Sequence, residues 1–185
     1  PISPVCVYCG SSVGRGEAFA HAARALGRAM GERGIDLVYG GGRAGLMGCV
    51  ADAVLEGGGH VTGIITKQLV DMETAHTGLP DLRVVDTMHQ RKMAMVERAR
   101  AFIALPGGVG TLDELFEVLA WAQLGLHNRP IGVFNTGGFY DTLLRFVGEM
   151  KDHGFLRIDP ARTIAVAADP GALLDEMARR ASAGG

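Results

Sequence analysis

The sequence predicts a three-layer α/β sandwich: a central parallel sheet with helices on both faces, in a single domain spanning residues 1–185. Two observations carry this expectation. Short apolar runs alternate with helical patterns from one end of the chain to the other, which is how strand–helix–strand units read in sequence. The apolar runs are also near-continuous, as strands buried on both faces of a parallel sheet must be. With 185 residues, 48% hydrophobic and 21% charged, the chain can fill one sizeable core.

The first run is SPVCVYCG, followed by a helix over Glu17 to Arg33 with Phe19, Ala23, Leu26 and Met30 on one face. IDLVYG and a helix over Leu46 to Glu56 come next, then HVTGIIT, LRVVD, AFIALP, RPIGVFN and RTIAVA as further strands. The intervening patterns predict helices near 88 to 100, 112 to 125, 139 to 151 and 171 to 181. Lys67 to Asp81, KQLVDMETAHTGLPD, has no clean period and reads as a loop. Loops of that length in a compact domain often carry function.

Eighteen Lys and Arg against twenty Asp and Glu give a formal net charge of −2, with no long block of either sign. Binding to nucleic acid or to a membrane surface through bulk charge is therefore not expected. The opening PISPVCVYCG lacks a basic leader with an apolar run, and no apolar run approaches the roughly 20 residues that span a bilayer, so a soluble, cytoplasmic protein is expected. Three cysteines fit a reducing compartment better than a disulfide framework. Cys6 and Cys9 spell CxxC, but inside a strand-like run, so they read as buried and inert thiols. No metal site is expected.

Ligands of open parallel sheets bind beyond the carboxyl ends of the strands. Those ends here are rich in glycine: CGSS with Gly10 and Ser11, YGGGRAG with Gly41 and Gly42, and PGGVGT with Gly107 and Gly108. Gly40 to Gly45 satisfies G-x-G-x-x-G, yet the following strand ends in Thr66 and Lys67, without the acidic residue that would hold a dinucleotide ribose. The Walker pattern is absent and the chain has three lysines, Lys67, Lys92 and Lys151, so phosphoryl transfer by that machinery is excluded. What remains is a phosphate monoester on free backbone N–H groups at helix starts, set against the plainer reading that the glycines only permit tight turns.

TLDE at 111 to 114 fits a capping box in which Glu114 reaches back to the amide of Thr111, and TMHQ at 87 to 90 fits a second. Arg91 and Lys92 follow, two cations in the first turns of a helix whose dipole opposes them by about 0.3–1 kcal/mol each. An anion nearby would account for them. Their charge should favour the ionised form of Glu114. A carboxylate beside a bound phosphate must then address another part of the ligand, such as a sugar or an attacking water, which points to a phosphorylated sugar reacting through an oxocarbenium-like transition state. Cap and reactive carboxylate both stand open for Glu114 on sequence alone.

MHQRK at 88 to 92 together with PGGVGTLDE at 106 to 114 resembles the paired signatures of the LOG ("Lonely guy") proteins, cytokinin riboside 5'-monophosphate phosphoribohydrolases. The likeness extends to CGSS, YGGGRAGLMG, WAQLGLHNRPIG and NTGGFYDTLL, nearly the whole chain. The resemblance implies a Rossmann-like fold and hydrolysis of the N-glycosidic bond of N6-modified adenosine 5'-monophosphates, without a cofactor. It also implies that Arg91 and Glu114 are catalytic. Met88, Lys92, Gly107, Gly108, Val109, Gly110, Thr111, Leu112 and Asp113 fall on substrate-binding positions, with Glu73 in the loop before the first signature. Ala120 stands where some plant members use a threonine toward the substrate, which bears on side-chain preference. A homodimer or larger assembly with the site near the interface is implied, and Trp121 is then either interface or core. Such sequences also carry the label lysine decarboxylase; a pyridoxal phosphate enzyme would need a Schiff-base lysine, and Lys92 is the candidate. The competing readings are a non-catalytic nucleotide carrier or sensor and a broad nucleoside monophosphate hydrolase of salvage.

Overall fold

The computed structural model describes residues 1–72 and 74–183. In chain order the elements are β1 (Val5–Tyr8), α1 (Ala18–Glu32), β2 (Leu37–Tyr39), α2 (Gly45–Glu56), β3 (Val61–Thr66), α3 (Lys67–Asp71), β4 (Asp81–Val85), α4 (Met88–Arg98) and β5 (Ala101–Ala104). They continue with α5 (Val109–Gln123), β6 (Ile131–Phe134), a 3-10 turn at Thr136–Gly138, α6 (Asp141–Asp152), α7 (Pro160–Thr163), β7 (Ile164–Ala167) and α8 (Pro170–Ala183).

The strands form one seven-stranded sheet in the order β4-β3-β2-β1-β5-β6-β7, and every neighbouring pair is parallel. All seven predicted strands are present, and the fold is Rossmann-like. Alternate side chains of β1 feed two cores: Val5 and Val7 pack with α1, α2 and α8, whereas Cys6 and Tyr8 pack with α4, α5 and α6. Each fully buried Val, Leu or Ile contributes about 1.5–3 kcal/mol. On the first face, α1 and α2 approach at Gly27 and Gly31, where an added Cβ would lie 2.6 Å from the Val50 carbonyl and 2.7 Å from that of Val54. Helical glycine costs about 1 kcal/mol against alanine, a loss offset here by backbone-to-backbone packing.

Three elements depart from expectation, one of them α7, which takes in Arg162 and Thr163 from the run RTIAVA. The irregular stretch at 67 to 81 begins as α3, whose N-cap Thr66 accepts from the amide of Leu69. More consequentially, α5 begins at Val109, with Gly108 at the N-cap and no side chain capping it. Thr111 is therefore the third residue of the helix, and the predicted TLDE capping box does not form. The α4 box does form: Gln90 N donates to Thr87 Oγ1 at 3.1 Å, and Gln90 Oε1 accepts from Thr87 N at 3.1 Å.

Strand order reverses direction between β1 and β5, so the helices that follow them, α1 and α5, lie on opposite faces and leave a crevice at the carboxyl edge. Backbone bonds fix that edge: Gly10 N donates to Pro106 O at 3.0 Å, and Leu46 N, in the first turn of α2, donates to Gly10 O at 3.0 Å. Two buried tyrosines brace the same loops, Tyr39 Oη donating to Gly42 O at 2.9 Å and Tyr140 Oη to Leu105 O at 2.6 Å.

Candidate active site

The crevice is a cavity of about 650 Å3. Gly10 and Ser11 line it from the loop after β1, Gly42 from the loop after β2, and Met88, Arg91 and Lys92 from the start of α4. Gly108, Val109, Gly110, Thr111, Asp113 and Glu114 line it from the start of α5. Gly41, Gly107 and Leu112 are not among the residues lining it, and Leu112 packs against the core. Glu73 lies outside the described residues.

Gly107 shows why its loop needs glycine. A Cβ there would collide with the Thr111 hydroxyl and lie 2.9 Å from Gly10 N, driving apart the loops after β1 and β5. Gly107→Ala is expected to cost about 1–3 kcal/mol, as overpacking does, and to weaken nucleotide binding in calorimetry.

Arg91 is 8% exposed and does not reach into water. Its Nε donates to Ile64 O at 2.9 Å and its Nη2 to Gly40 O at 2.7 Å, tying α4 to the ends of β3 and β2. A Cβ on Gly40 would collide with this guanidinium. The two carbonyls meet part of its charge and offset the helix dipole. Two of its five N–H donors are thereby used, Nη1 lies 3.8 Å from Met88 Sδ, and the side chain lines the cavity.

Lys92 is also partnered, its ammonium lying 3.0 Å from Asp113 and 3.2 Å from Glu117. These contacts lock α4 to α5, and the two carboxylates raise the Lys92 pKa against the opposing effect of burial.

Glu114 sits in the second turn of α5, one turn beyond Gly110, and among the described residues its carboxylate accepts no hydrogen bond. Burial raises its pKa to about 7, outweighing the downward influence of Arg91 and Lys92. The two cations do favour the ionised form, as expected from the sequence, but burial outweighs them. Glu114 is not a cap; it is a carboxyl group on a cavity wall whose pKa burial pushes toward neutrality. The N–H groups of Val109, Gly110 and Thr111 precede it in an uncapped first turn, which is an anion-binding arrangement.

Sequence reasoning missed Tyr8, Met47, Leu69, Thr74 and Met95, which also line the cavity. The apolar ones have the spacing of core residues, and periodicity does not separate a core face from a cavity wall. Cys9 lines it too; Cys6 and Cys9 are free thiols, both with pKa values raised by burial, as inert thiols should be. Trp121 packs against the core around α5. Among the described residues no group of His, Cys, Asp and Glu could hold a metal ion.

Residues 47–177 match the family described as "Possible lysine decarboxylase". The cytokinin riboside 5'-monophosphate phosphoribohydrolase LOG of Oryza sativa subsp. japonica is 51% identical over 160 residues, covering 86% of this chain and 66% of its own length. A cytokinin riboside 5'-monophosphate phosphoribohydrolase of Arabidopsis thaliana is 51% identical over 165 residues, 89% of this chain and 75% of that protein. The chain belongs to the LOG family. It spans about two thirds to three quarters of the length of these LOG relatives.

The LOG fold is shared more widely. A molybdenum cofactor carrier protein of Chlamydomonas reinhardtii superposes with a TM-score of 0.75 at 18% identity over 99% of both chains. A molybdenum cofactor binding protein of Rippkaea orientalis gives 0.71 at 18% identity over 96% of both chains. The decarboxylase label attached to the LOG family model does not fit the residues present. A Schiff base forms from a neutral amine, and Lys92 is held as an ammonium between two carboxylates. Lys67 is exposed and paired with Asp86, and Lys151 is paired with Asp159, both away from the cavity lining.

Proposed function

We propose that the cavity binds a nucleoside 5'-monophosphate and hydrolyses its N-glycosidic bond, releasing the free base and ribose 5-phosphate, with N6-modified adenosine monophosphates as the substrate class. One observation supports this most. The uncapped start of α5, the Arg91 guanidinium and the Glu114 carboxyl line the same cavity, in a chain 51% identical to proteins named for this reaction.

In this reading the 5'-phosphate sits on the first-turn amides of α5, favoured by the helix dipole. Arg91 contacts the nucleotide through the Nη1 edge, beside Met88 Sδ. Glu114, one helical turn further in, faces the ribose. Water oxygen bonds to C1′ as the C1′–N bond breaks with its electron pair going to the base, and the water's proton is carried to the departing nitrogen. In its carboxylate form Glu114 stabilises positive charge at C1′ and takes the proton from water. Activity should then rise with pH through about 7, where Glu114 ionises, falling about tenfold per pH unit below it. A profile of kcat/KM checks this, and a limb falling with pH instead would assign the protonated acid, acting on the leaving base.

The substrate test is incubation of the purified protein with AMP, isopentenyladenosine monophosphate, the two unphosphorylated nucleosides and a pyrimidine monophosphate, with free base measured by chromatography. Release from the purine monophosphates alone supports the reading. Release from all monophosphates supports a salvage hydrolase, and binding without release supports a carrier. Among the described residues no helix is long and apolar enough to cross a membrane, and a cytoplasmic location belongs to this reading. So does a homodimer or larger assembly, in which a second copy would cover the exposed Met88 and Val109 at the cavity.

A further inference from the structure

Across the turn at Gly40–Gly42 lies a strap beginning at Thr74. Arg43 N donates to Thr74 O at 3.0 Å and His76 N donates to Gly41 O at 2.8 Å, on either side of an antiparallel bridge between Gly42 and Ala75. Thr74 lines the cavity, and its hydroxyl donates to Leu69 O at 2.6 Å. Ala75 and Thr74 offer little apolar area to hold such a segment down, so its ordering entropy must be met elsewhere.

His76 meets it. The residue is 8% exposed, and its Nε2 lies 2.8 Å from Asp52 Oδ1 on α2, outside the cavity lining. Among the described residues its Nδ1 is buried without a partner and the ring's hydrogen bond is made through Nε2, that nitrogen donating to the carboxylate. A buried imidazole bonded at one end is a costly filler but an effective latch.

We propose that Asp52 and His76 form a positioning pair for the nucleotide site: Asp52 orients the His76 ring, His76 holds the strap on the Gly40–Gly42 turn, and the strap presents Thr74 as one wall of the cavity. The identity of the ligand rests on the phosphoribohydrolase reading; the latch itself does not. With the latch removed, the strap opens part of the time, and apparent affinity falls by the fraction of molecules still closed.

The experiment compares His76→Ala, Asp52→Ala, the double variant and His76→Gln, whose amide can still donate to Asp52. Amide hydrogen exchange at Arg43 and at residue 76 is read without nucleotide, and KM, kcat and melting are read with AMP. Each alanine variant should speed exchange at those two amides and raise KM by about tenfold, with kcat and melting little changed. The double variant should be no worse than either single one, and His76→Gln should restore most of the loss. Unchanged exchange in His76→Ala, additive effects in the double variant, or kcat and melting collapsing together would overturn the pair. If the wild-type protein releases no base from any nucleotide, the phosphoribohydrolase reading fails, and the exchange measurement still decides the latch.

Discussion

Glu114→Gln is expected to lower turnover about a hundred- to ten-thousandfold while making the protein more stable above neutral pH. Glutamine keeps the shape and loses the titrating proton. Burial raises the Glu114 pKa from 4.5 in an ordinary environment to about 7, so the folded state holds the protonated form more tightly than the unfolded chain does. The stability associated with that proton is fully present below about pH 4.5 and is lost as pH rises through about 7. The ionisation cost above pH 7 is about 1–3 kcal/mol once partial solvent contact is allowed for, and the neutral amide of the variant does not bear it. Melting temperatures of the two proteins should agree near pH 4 and diverge at pH 8.5 by several degrees in favour of the variant, at about 2–4 °C per kcal/mol for a domain of this size. Equal melting at pH 8.5 would place the carboxylate in water and remove the basis for its raised pKa.

Arg91→Ala should be the most destabilising single change at the site, costing about 3–5 kcal/mol and lowering the melting temperature by about 10 °C. The carbonyls of Gly40 and Ile64 lose their donors, and the space between α4 and the strand ends empties. Arg91 is also the largest influence lowering the Glu114 pKa, so its loss moves the acidic limb of any remaining activity to higher pH. Arg91→Lys separates these effects. It keeps the charge near Glu114 but cannot bond both carbonyls with a planar fork, so stability should recover only in part while the limb returns toward pH 7. Wild-type melting in Arg91→Ala would show that the carbonyl bonds carry no weight.

The parallel sheet was legible because its strands are short apolar runs separated by helical patterns, a signal that survives without knowledge of tertiary contacts. The start of α4 was legible for the same reason: Thr87 and Gln90 cap it locally. The start of α5 was not. TLDE matches a capping box, and the low helix propensity of Gly110 hides a first turn that the packing of Gly107 against Thr111 and Gly10 imposes. Arg91 stood out as a misplaced cation, but the carbonyls that receive it lie 51 and 27 residues away in sequence. The pull of the cations on Glu114 was legible but the burial that outweighs it was not, since charges can be counted along a chain whereas burial cannot. α3 is five residues long, too short to show a period, and the Asp52–His76 bond joins residues 24 apart in segments that carry no shared motif.

In the proposed reaction Glu114 performs N-glycosidic hydrolysis on a nucleotide held at the start of α5. A parallel assay of free base and ribose 5-phosphate released from isopentenyladenosine monophosphate, by the wild-type protein and by Glu114→Gln at pH 7.5, tests this role without an intermediate step. Equimolar products are expected from the wild type, and from a folded Glu114→Gln that still binds the nucleotide at most about one hundredth of that rate. Equal release by the two proteins, or base released without ribose 5-phosphate, would refute it.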